Sequence, residues 1–362
     1  MRIESIRARA VNVPMNNPLV TGGGSVTTAP LILIDLETDK GVVGRSYIFA
    51  VSPMLSPALV SLVQKLGEDL TGVDLRPRTV HQTMCRRLRL AGVDGLLGWV
   101  VAGIDMAVWD AHARWLEEPL YRVLGGASQP ISAYNSNGLG LVGPEKAGPE
   151  AAELAEGFGA VKVRLGYEDI ETDVLTIAAV MDAVPEGMPV MCDYNQSLNR
   201  AQAKVRFAAI DDMGLEWIEE PLTAEDVGGY ADLRQWSSTP VQLGENARSP
   251  MDIARLIREG AGDLLMPDVA KIGGVTNWLR AAELCAAAEV PISSHLFPEF
   301  SVHMLATSPT AHWLEFVDWA APVIREPLEV VDGYALPPDR PGAGIDWNEE
   351  ATGYVPAAAA SW

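Results

Sequence analysis

Six short apolar stretches in the second half of the chain each end in a side chain that can bind a cation or carry a proton. These end residues are Asp193, Glu219, Glu245, Asp268, His295 and Glu315. Consecutive members lie 26, 26, 23, 27 and 20 residues apart. Each interval accommodates one strand and one helix, and the C-terminal strand ends of a β/α barrel meet at one mouth. The sequence therefore predicts a barrel whose polar groups converge there.

A further stretch, residues 160–164, opens this series with two cations at alternate positions. Residues two apart on a strand share a face, so Lys162 and Arg164 point one way and Val161 and Val163 the other. The outer face of a barrel packs on apolar helices, which favours both cations pointing inward, toward acids or an anionic ligand. The alternative, two surface charges on an outward face, stays open at this level.

Composition narrows the class of protein. A chain of 362 residues predicts two domains, or one barrel with a substantial addition. The net charge of −21 argues against a nucleic-acid or anionic-membrane partner. Three scattered cysteines predict a reduced, cytoplasmic setting without a disulfide framework. The longest uninterrupted apolar run, residues 95–104, is too short to span a bilayer.

The pattern divides the chain into three parts. Residues 1–125 predict an α+β domain with strands at 3–13, 31–38 and 42–47, followed by three helical segments. Its glycine-rich stretch, residues 16–25, reads as a loop, either a flexible connection or a lid over a pocket. Residues 126–320 alternate strand and helix as in a barrel. Residues 321–362 break that rhythm and are expected to return to the first domain.

Three carboxylates at successive strand ends repel one another unless a cation lies among them. Asp193, Glu219 and Glu245 offer only oxygen ligands, which suits Mg²⁺. The alternative is that each acid caps the following helix. Asp268 and His295 end consecutive strands and form a candidate dyad for proton transfer. A cation, a metal and this dyad suit removal of the proton α to a carboxylate, with stabilisation of the resulting enolate.

These residues lie in motifs that resemble the enolase superfamily and, within it, the mandelate racemase subgroup. The motifs run through nearly the whole chain, and the most specific are residues 192–197, 217–221, 244–246, 266–268, 271–276, 293–297 and 310–315. The resemblance implies an α/β fold, a modified (β/α)7β TIM-type barrel under an α+β capping domain built from both chain ends. It also implies a homo-oligomer, an octamer, that acts on a small-molecule carboxylate.

The same resemblance implies roles for individual residues. Asp193, Glu219 and Glu245 match the Mg²⁺ ligands, and His295 with Asp268 matches a catalytic base. Lys162 matches the lysine that neutralises the substrate carboxylate, and Glu315 matches the acid that hydrogen-bonds it. The substrate-binding set that it implies contains polar Ser136, Asn195 and Lys271, with a hydrophobic wall of Leu19, Val26, Phe49, Leu90, Leu296 and Val317.

Arg164 departs from the subgroup, whose racemases carry a second lysine at this position as the base for the opposite face. Arginine stays protonated, so it is a poor proton acceptor and a good anion clamp. The sequence predicts a racemase or epimerase of a hydrophobic, mandelate-like 2-hydroxy acid. A dehydratase of acids or acid sugars is the alternative within the enzyme class. A catalytically impaired barrel that only binds carboxylates is the non-enzymatic alternative.

Overall fold

The structure, a computed structural model, describes residues 1–21 and 24–354. The chain begins with a three-stranded antiparallel sheet of strands β1 (Ile3–Thr21), β2 (Gly24–Thr38) and β3 (Val43–Phe49). Four helices follow, α1 (Ser56–Leu70), α2 (Pro77–Leu88), α3 (Gly95–Trp115) and the short α4 (Leu120–Val123). Sheet and helices together form the predicted α+β cap.

The glycine-rich stretch 16–25 is not the loop that its composition suggests. β1 continues to Thr21 and β2 begins at Gly24, with Leu19 paired to Val26 across the hairpin. The pairing register shifts between Pro14 and Leu19. Cross-strand hydrogen bonds hold these residues in an extended hairpin despite their glycine content. The loop prediction is therefore wrong for the described residues. Gly22 and Gly23 of that prediction lie outside them.

Helix α3 carries the longest apolar run and is buried along most of its length. It packs on the capping sheet so closely that a Cβ at Gly103 would lie 2.7 Å from Ile34 Cδ1. A Cβ at Gly44 on β3 would lie 2.1 Å from the Ala107 carbonyl oxygen. The run is therefore apolar because it is a domain core. None of the helices in residues 1–21 and 24–354 combines the length and the hydropathy that a membrane-spanning helix needs.

The barrel alternates strands and helices from residue 131 onward. Its strands are β4 (Ile131–Asn135), β5 (Ala160–Arg164), β6 (Val190–Asp193), β7 (Ile218–Glu219), β8 (Val241–Leu243), β9 (Leu264–Leu265) and β10 (Leu314–Phe316). The helices between them are α5 (Pro144–Leu154), α6 (Ile170–Ala183), α7 (Arg200–Ile210), α8 (Val227–Trp236), α9 (Pro250–Glu259), α10 (Val275–Ala287) and α11 (Pro298–Leu305). β4 to β9 pair in sequence order, in parallel.

Short pairings connect β9, at one edge of this parallel series, to β10. Ile292 bridges Leu265 on one side and Ala311 on the other, and β10 pairs with β4 in parallel. The segment around Ile292 therefore takes the position of a strand between β9 and β10. With that segment the barrel has eight strand positions and seven helices, as the (β/α)7β pattern requires.

The C-terminal segment adds β11 (Val330–Val331), β12 (Tyr334–Ala335) and helix α12 (Glu349–Tyr354). β12 extends the barrel sheet antiparallel to β4. The segment then contacts the cap, where Trp347 Nε1 donates to Asp35 Oδ1 at 2.9 Å. Arg9 pairs with Glu349 at 2.8 Å. The exact division at residues 125 and 320, like the oligomeric state, stays a prediction.

Candidate active site

The strand register brings the polar strand-end residues side by side at the mouth of the barrel. Arg164 is paired with Asp193 across β5 and β6, and Asp193 with Glu219 across β6 and β7. A bridge pairs Asp268 with His295. A cavity of about 200 Å³ opens above these strand ends, between barrel and cap. Its polar lining comprises Lys162, Arg164, Asp193, Asn195, Glu245, Asp268, Lys271, His295 and Glu315.

Lys162 lies at the centre of the acidic groups. Its Nζ is 2.7 Å from Glu219 Oε1, 2.9 Å from Glu315 Oε1 and 3.4 Å from Asp193 Oδ2. The side chain is 1% exposed, so the ammonium points inward as the strand alternation predicts. Burial opposes its charge, but the carboxylates of Glu219 and Glu315 outweigh that effect and raise the pKa of Lys162 well above its ordinary value.

Two of the acids beside Lys162, Glu219 and Glu315, have pKa values shifted in opposite directions. Burial raises the pKa of Glu219 to about 8, although Lys162 lowers it. For Glu315, burial is outweighed by Lys162, by His295 and by the Leu296 N–H, which together lower its pKa to about 2. Leu296 N donates to Glu315 Oε2 at 2.8 Å. Of these two acids, Glu219 is thus the one that needs a further cation to stay ionised.

The predicted His–Asp pair is formed. His295 Nδ1 lies 2.7 Å from Asp268 Oδ2, while Nε2 lies 3.1 Å from Glu245 Oε2. Asp268 in turn accepts from the Ala270 and Lys271 backbone N–H groups at 2.7 and 2.9 Å. Burial lowers the pKa of His295, but Glu245, Glu315 and Asp268 outweigh it and raise that pKa well above 6.5. A cation bound by Glu245 would compete with its interaction with Nε2.

The three predicted metal ligands fit a hard cation by their chemistry. Asp193, Glu219 and Glu245 are at most 9% exposed and offer carboxylate oxygens alone. Within residues 1–21 and 24–354, no three acidic, His or Cys side chains already surround a common metal position. Their oxygens face cationic or amide groups: Asn195 Nδ2 donates to Asp193 at 2.8 Å. Lys271 Nζ donates to Glu245 at 3.0 Å.

Arg164 is held by oxygen atoms of the loop after β4. Its Nη1 donates to the Gly138 carbonyl at 2.8 Å, and Nη2 lies 3.2 Å from the Ser136 carbonyl and 3.3 Å from Ser136 Oγ. Ser136 is fully buried and therefore contributes to the site by orienting Arg164. A guanidinium fixed by acceptors on this side is a hydrogen-bond donor and a poor proton acceptor.

The other half of the cavity is apolar. Of the predicted wall, Leu19, Phe49 and Leu296 line it. Further lining residues were not predicted from the sequence, and these are Val51, Trp99, Ala270, Phe297 and Trp319. Phe297 and Trp319 follow the strand-end residues His295 and Glu315 closely, and that proximity is a usable sequence signal. Trp99 lies in α3 and has no local signal, because only the placement of the cap brings it here.

Three predicted wall residues are placed elsewhere. The Leu90 side chain, in the connection between α2 and α3, is 95% exposed and is not among the described residues that line this cavity. Val26 packs against the main core, outside the described lining of the cavity. Val317 lines a small adjoining cavity with Tyr47 and Phe297. Positional similarity does not specify which way a side chain at a loop or strand edge turns.

A capped barrel with acids, a buried lysine and a His–Asp pair at its mouth defines a class of enzyme, and family comparisons agree with it. Residues 3–125 match the model described as mandelate racemase / muconate lactonizing enzyme, N-terminal domain. Residues 147–351 match the model described as enolase C-terminal domain-like. The chain therefore belongs to the mandelate racemase/muconate lactonizing enzyme family of the enolase superfamily.

Solved structures and curated relatives extend this result. An enolase from alpha pretobacterium bal199 with bound Mg is 40% identical, with a TM-score of 0.96 over 98% of this chain and 99% of that one. An enolase from Bradyrhizobium complexed with magnesium and mandelic acid is also 40% identical, with a TM-score of 0.94 over 98% of each chain. The L-talarate/galactarate dehydratase of Salmonella typhimurium is 27% identical over 97% of this chain and 90% of its own. Further relatives include two cycloisomerases and a racemase.

Proposed function

We propose that this enzyme removes the proton α to the carboxylate of a hydrophobic 2-hydroxy acid, with His295 as the base. Racemisation or epimerisation is the outcome, in which the Arg164 guanidinium would return a proton to the opposite face of the α-carbon. The observation that carries this proposal is the division of one cavity into two halves. Lys162 and the Asp268–His295 pair lie at its polar end, and aromatic side chains such as Phe49 and Trp319 form its apolar end. The Bradyrhizobium relative with bound magnesium and mandelic acid supports it.

Asp193, Glu219 and Glu245 would hold Mg²⁺, because they are the buried all-oxygen set at the mouth. When bound, the ion supplies positive charge that stabilises the negative charge developing on the substrate carboxylate. Glu219, whose pKa burial raises to about 8, is the ligand whose ionisation depends most on that charge. Relatives with bound magnesium support the same assignment.

His295 would accept the α-proton at Nε2, because Nδ1 is held by its hydrogen bond to Asp268 at 2.7 Å and a cation bound by Glu245 would release Nε2 from that carboxylate. That bond fixes the ring orientation and the tautomer that exposes Nε2. Lys162 would balance the charge of the substrate carboxylate, and Glu315, which lies 2.9 Å from Lys162, would contact a substrate oxygen. Lys271 and Asn195 would keep Glu245 and Asp193 in place, since each donates to one of them.

The apolar wall favours a hydrophobic substrate over a sugar acid. A sugar acid carries several hydroxyl groups, and each of them would lose its water without gaining a partner against Leu19, Phe49 or Trp319. The L-talarate/galactarate dehydratase among the relatives is named for sugar acids, so a hydrophobic substrate would be a difference in specificity from that enzyme. A mandelate-like substrate would place an aromatic ring against the same apolar side chains, and burial of that ring would favour binding.

Dehydration is the second candidate, and the placement of Arg164 favours it. A guanidinium bonded to Gly138 and Ser136 oxygens is a poor proton acceptor, so proton transfer on the face opposite His295 has no ready base. An enzyme with one working base can still expel a β-hydroxyl if His295 returns its proton to the leaving group.

One screen separates these candidates. Purified enzyme with Mg²⁺ is incubated in D₂O with mandelate, lactate and galactarate, and products and α-deuterium are followed by NMR. Conversion of one mandelate enantiomer into the other supports the proposed function. A 2-keto acid from galactarate supports dehydration instead. Tight binding of mandelate measured by calorimetry, with neither α-deuterium exchange nor product, would support the non-enzymatic alternative, a barrel that only binds carboxylates.

A further inference from the structure

One buried hydrogen bond joins the capping sheet to the helix that follows the proposed base. Tyr47 Oη on β3 donates to Glu299 Oε2 on α11 at 2.6 Å. The Tyr47 ring also stacks on Phe297, with centroids 5.0 Å apart and planes inclined at 26°. Tyr47 is 4% exposed and Glu299 is 6% exposed, so the hydroxyl and the carboxyl group are both removed from water and bond to each other instead. Neither has a task in the proposed proton transfer.

The segment that this bond contacts is held in an unusual backbone conformation. Leu296 and Phe297 both have φ of 49°, a left-handed conformation that non-glycine residues adopt at a cost. Such residues keep this conformation only where their surroundings hold them. On the barrel side, Leu296 N donates to Glu315 at 2.8 Å and Ser301 Oγ donates to Leu296 O at 2.8 Å. On the cap side, the Tyr47 ring and hydroxyl supply the support.

The same contact positions the wall residues of the cap. Phe49 lies two residues after Tyr47 on β3, so both side chains leave the strand on the same face. Phe49 packs on Trp319, with ring centroids 5.0 Å apart. Phe49, Leu296, Phe297 and Trp319 all line the substrate cavity. A relative shift of β3 and α11 would therefore move Phe49 against Leu296 and Phe297 and would disturb the packing of Phe49 on Trp319.

A hydrogen bond fixes the relative position of β3 and α11 within a narrower range than apolar packing does. Stacked rings tolerate sliding, whereas a bond of 2.6 Å to a buried carboxyl fails within a short displacement. Burial raises the pKa of Glu299, and the Tyr47 hydroxyl is the largest influence opposing that shift. Loss of the hydroxyl would leave a buried carboxyl with an unmet hydrogen bond, so the pair resists any movement that separates cap and barrel.

We propose that the Tyr47–Glu299 pair is a positioning contact that sets the width of the apolar half of the cavity and thereby the preference for an aromatic over a small substrate side chain. The specificity part of this inference rests on the proposed function, because it presumes turnover of 2-hydroxy acids. The positioning part concerns the backbone around Leu296 and Phe297 and can be measured without a substrate.

The test compares Tyr47→Phe with Tyr121→Phe, a matched control. Tyr121 is also buried, donates to Asp339 at 2.9 Å and stacks on His303 at the other end of the same helix. Tyr47→Phe should lower the ratio of kcat/KM for mandelate to that for lactate by about tenfold, the equivalent of one buried hydrogen bond. The loss should lie mainly in KM for mandelate. Tyr121→Phe should leave the ratio unchanged.

Two further variants test whether the change in the ratio comes from misfolding or from the charge of Glu299. Glu299→Gln keeps an acceptor oxygen for Tyr47 and should retain the wild-type ratio. Glu299→Leu removes the bond without leaving an unpaired carboxyl, so it should reproduce the loss even if Tyr47→Phe does not fold. An unchanged ratio in both Tyr47→Phe and Glu299→Leu, or an equal loss in Tyr121→Phe, overturns the proposal.

Hydrogen–deuterium exchange separates this proposal from the proposed function. In Tyr47→Phe, and not in Tyr121→Phe, peptides covering residues 45–52 and 293–301 should exchange faster than in the wild type. If the wild type turns over no 2-hydroxy acid, the proposed function fails, and faster exchange in these two peptides still supports the positioning contact. Unchanged exchange in Tyr47→Phe shows that the pair holds neither segment and refutes it.

Discussion

Lys162 Nζ lies 2.7 Å from Glu219 Oε1 and 2.9 Å from Glu315 Oε1, in a position that is almost inaccessible to water. One ammonium group therefore connects a proposed metal ligand with a proposed substrate-binding acid. Its charge balances part of a cluster that would otherwise be strongly negative. This arrangement links metal binding, substrate binding and the ionisation of Glu219, and it leads directly to the first prediction.

Glu219→Gln should weaken Mg²⁺ binding on the order of 100-fold and abolish turnover, because it removes one of three anionic oxygen ligands. Isothermal titration with MgCl₂ measures the first effect and a coupled activity assay the second. Glu225→Gln is the control, since Glu225 is exposed and pairs only with Arg248 among the described residues. Full activity of the wild type in excess EDTA would refute the metal assignment.

His295→Asn should lose α-proton exchange from the face that His295 serves, by a factor on the order of 10²–10⁴. In the wild type, the enantiomer whose α-hydrogen faces His295 should exchange faster than its mirror image, because Arg164 donates to the Gly138 and Ser136 oxygens and a guanidinium is a poor proton acceptor. Arg164→Lys should then raise racemisation relative to one-sided exchange. NMR in D₂O with each enantiomer gives these rates. Equal rates in the wild type, with slower exchange in both directions for Arg164→Lys, would show that Arg164 itself is a base.

Leu19→Asp should lower kcat/KM for mandelate roughly tenfold or more, because a carboxylate on the apolar wall must be desolvated beside the substrate ring. Leu90→Asp is the matched control, because the same substitution falls on a side chain that is 95% exposed. Steady-state kinetics on both variants, with thermal unfolding to check the fold, decide the matter. An equal loss in the two variants would mean that neither effect comes from the wall of the cavity.

Stability should fall on acidification because of His303, which is fully buried between Tyr121 and Ala343. Burial lowers its pKa from 6.5 to about 4, so the folded protein keeps it neutral where the unfolded chain takes up a proton. The stabilisation is present above pH 6.5 and is lost as pH falls toward 4, by roughly 3 kcal/mol. Urea unfolding from pH 7 to 4 should show a shallower decline for His303→Gln than for the wild type. Parallel declines in the two proteins would contradict this assignment.

The sequence by itself determined that the chain forms a barrel and which strand-end side chains lie at the mouth of that barrel. Strand alternation and the spacing between Asp193 and Glu315 are local properties, and they determine which strand ends carry which groups. Because every parallel strand presents its C-terminal end on one side, Lys162, Asp268 and His295 had to meet there. The chemical type of the mouth follows from these side chains alone, without knowledge of the packing around them.

Only the tertiary structure decided the apolar half of the cavity and its partners. Trp99 comes from α3, which reaches the cavity because the cap packs over the barrel, while Leu90, a few residues earlier, turns to solvent. The bond between Tyr47 and Glu299 joins positions 252 residues apart. No periodicity encodes such a contact. Side-chain direction at loops and between domains depends on the total packing of both domains, which is a property of the folded chain and not of any local pattern.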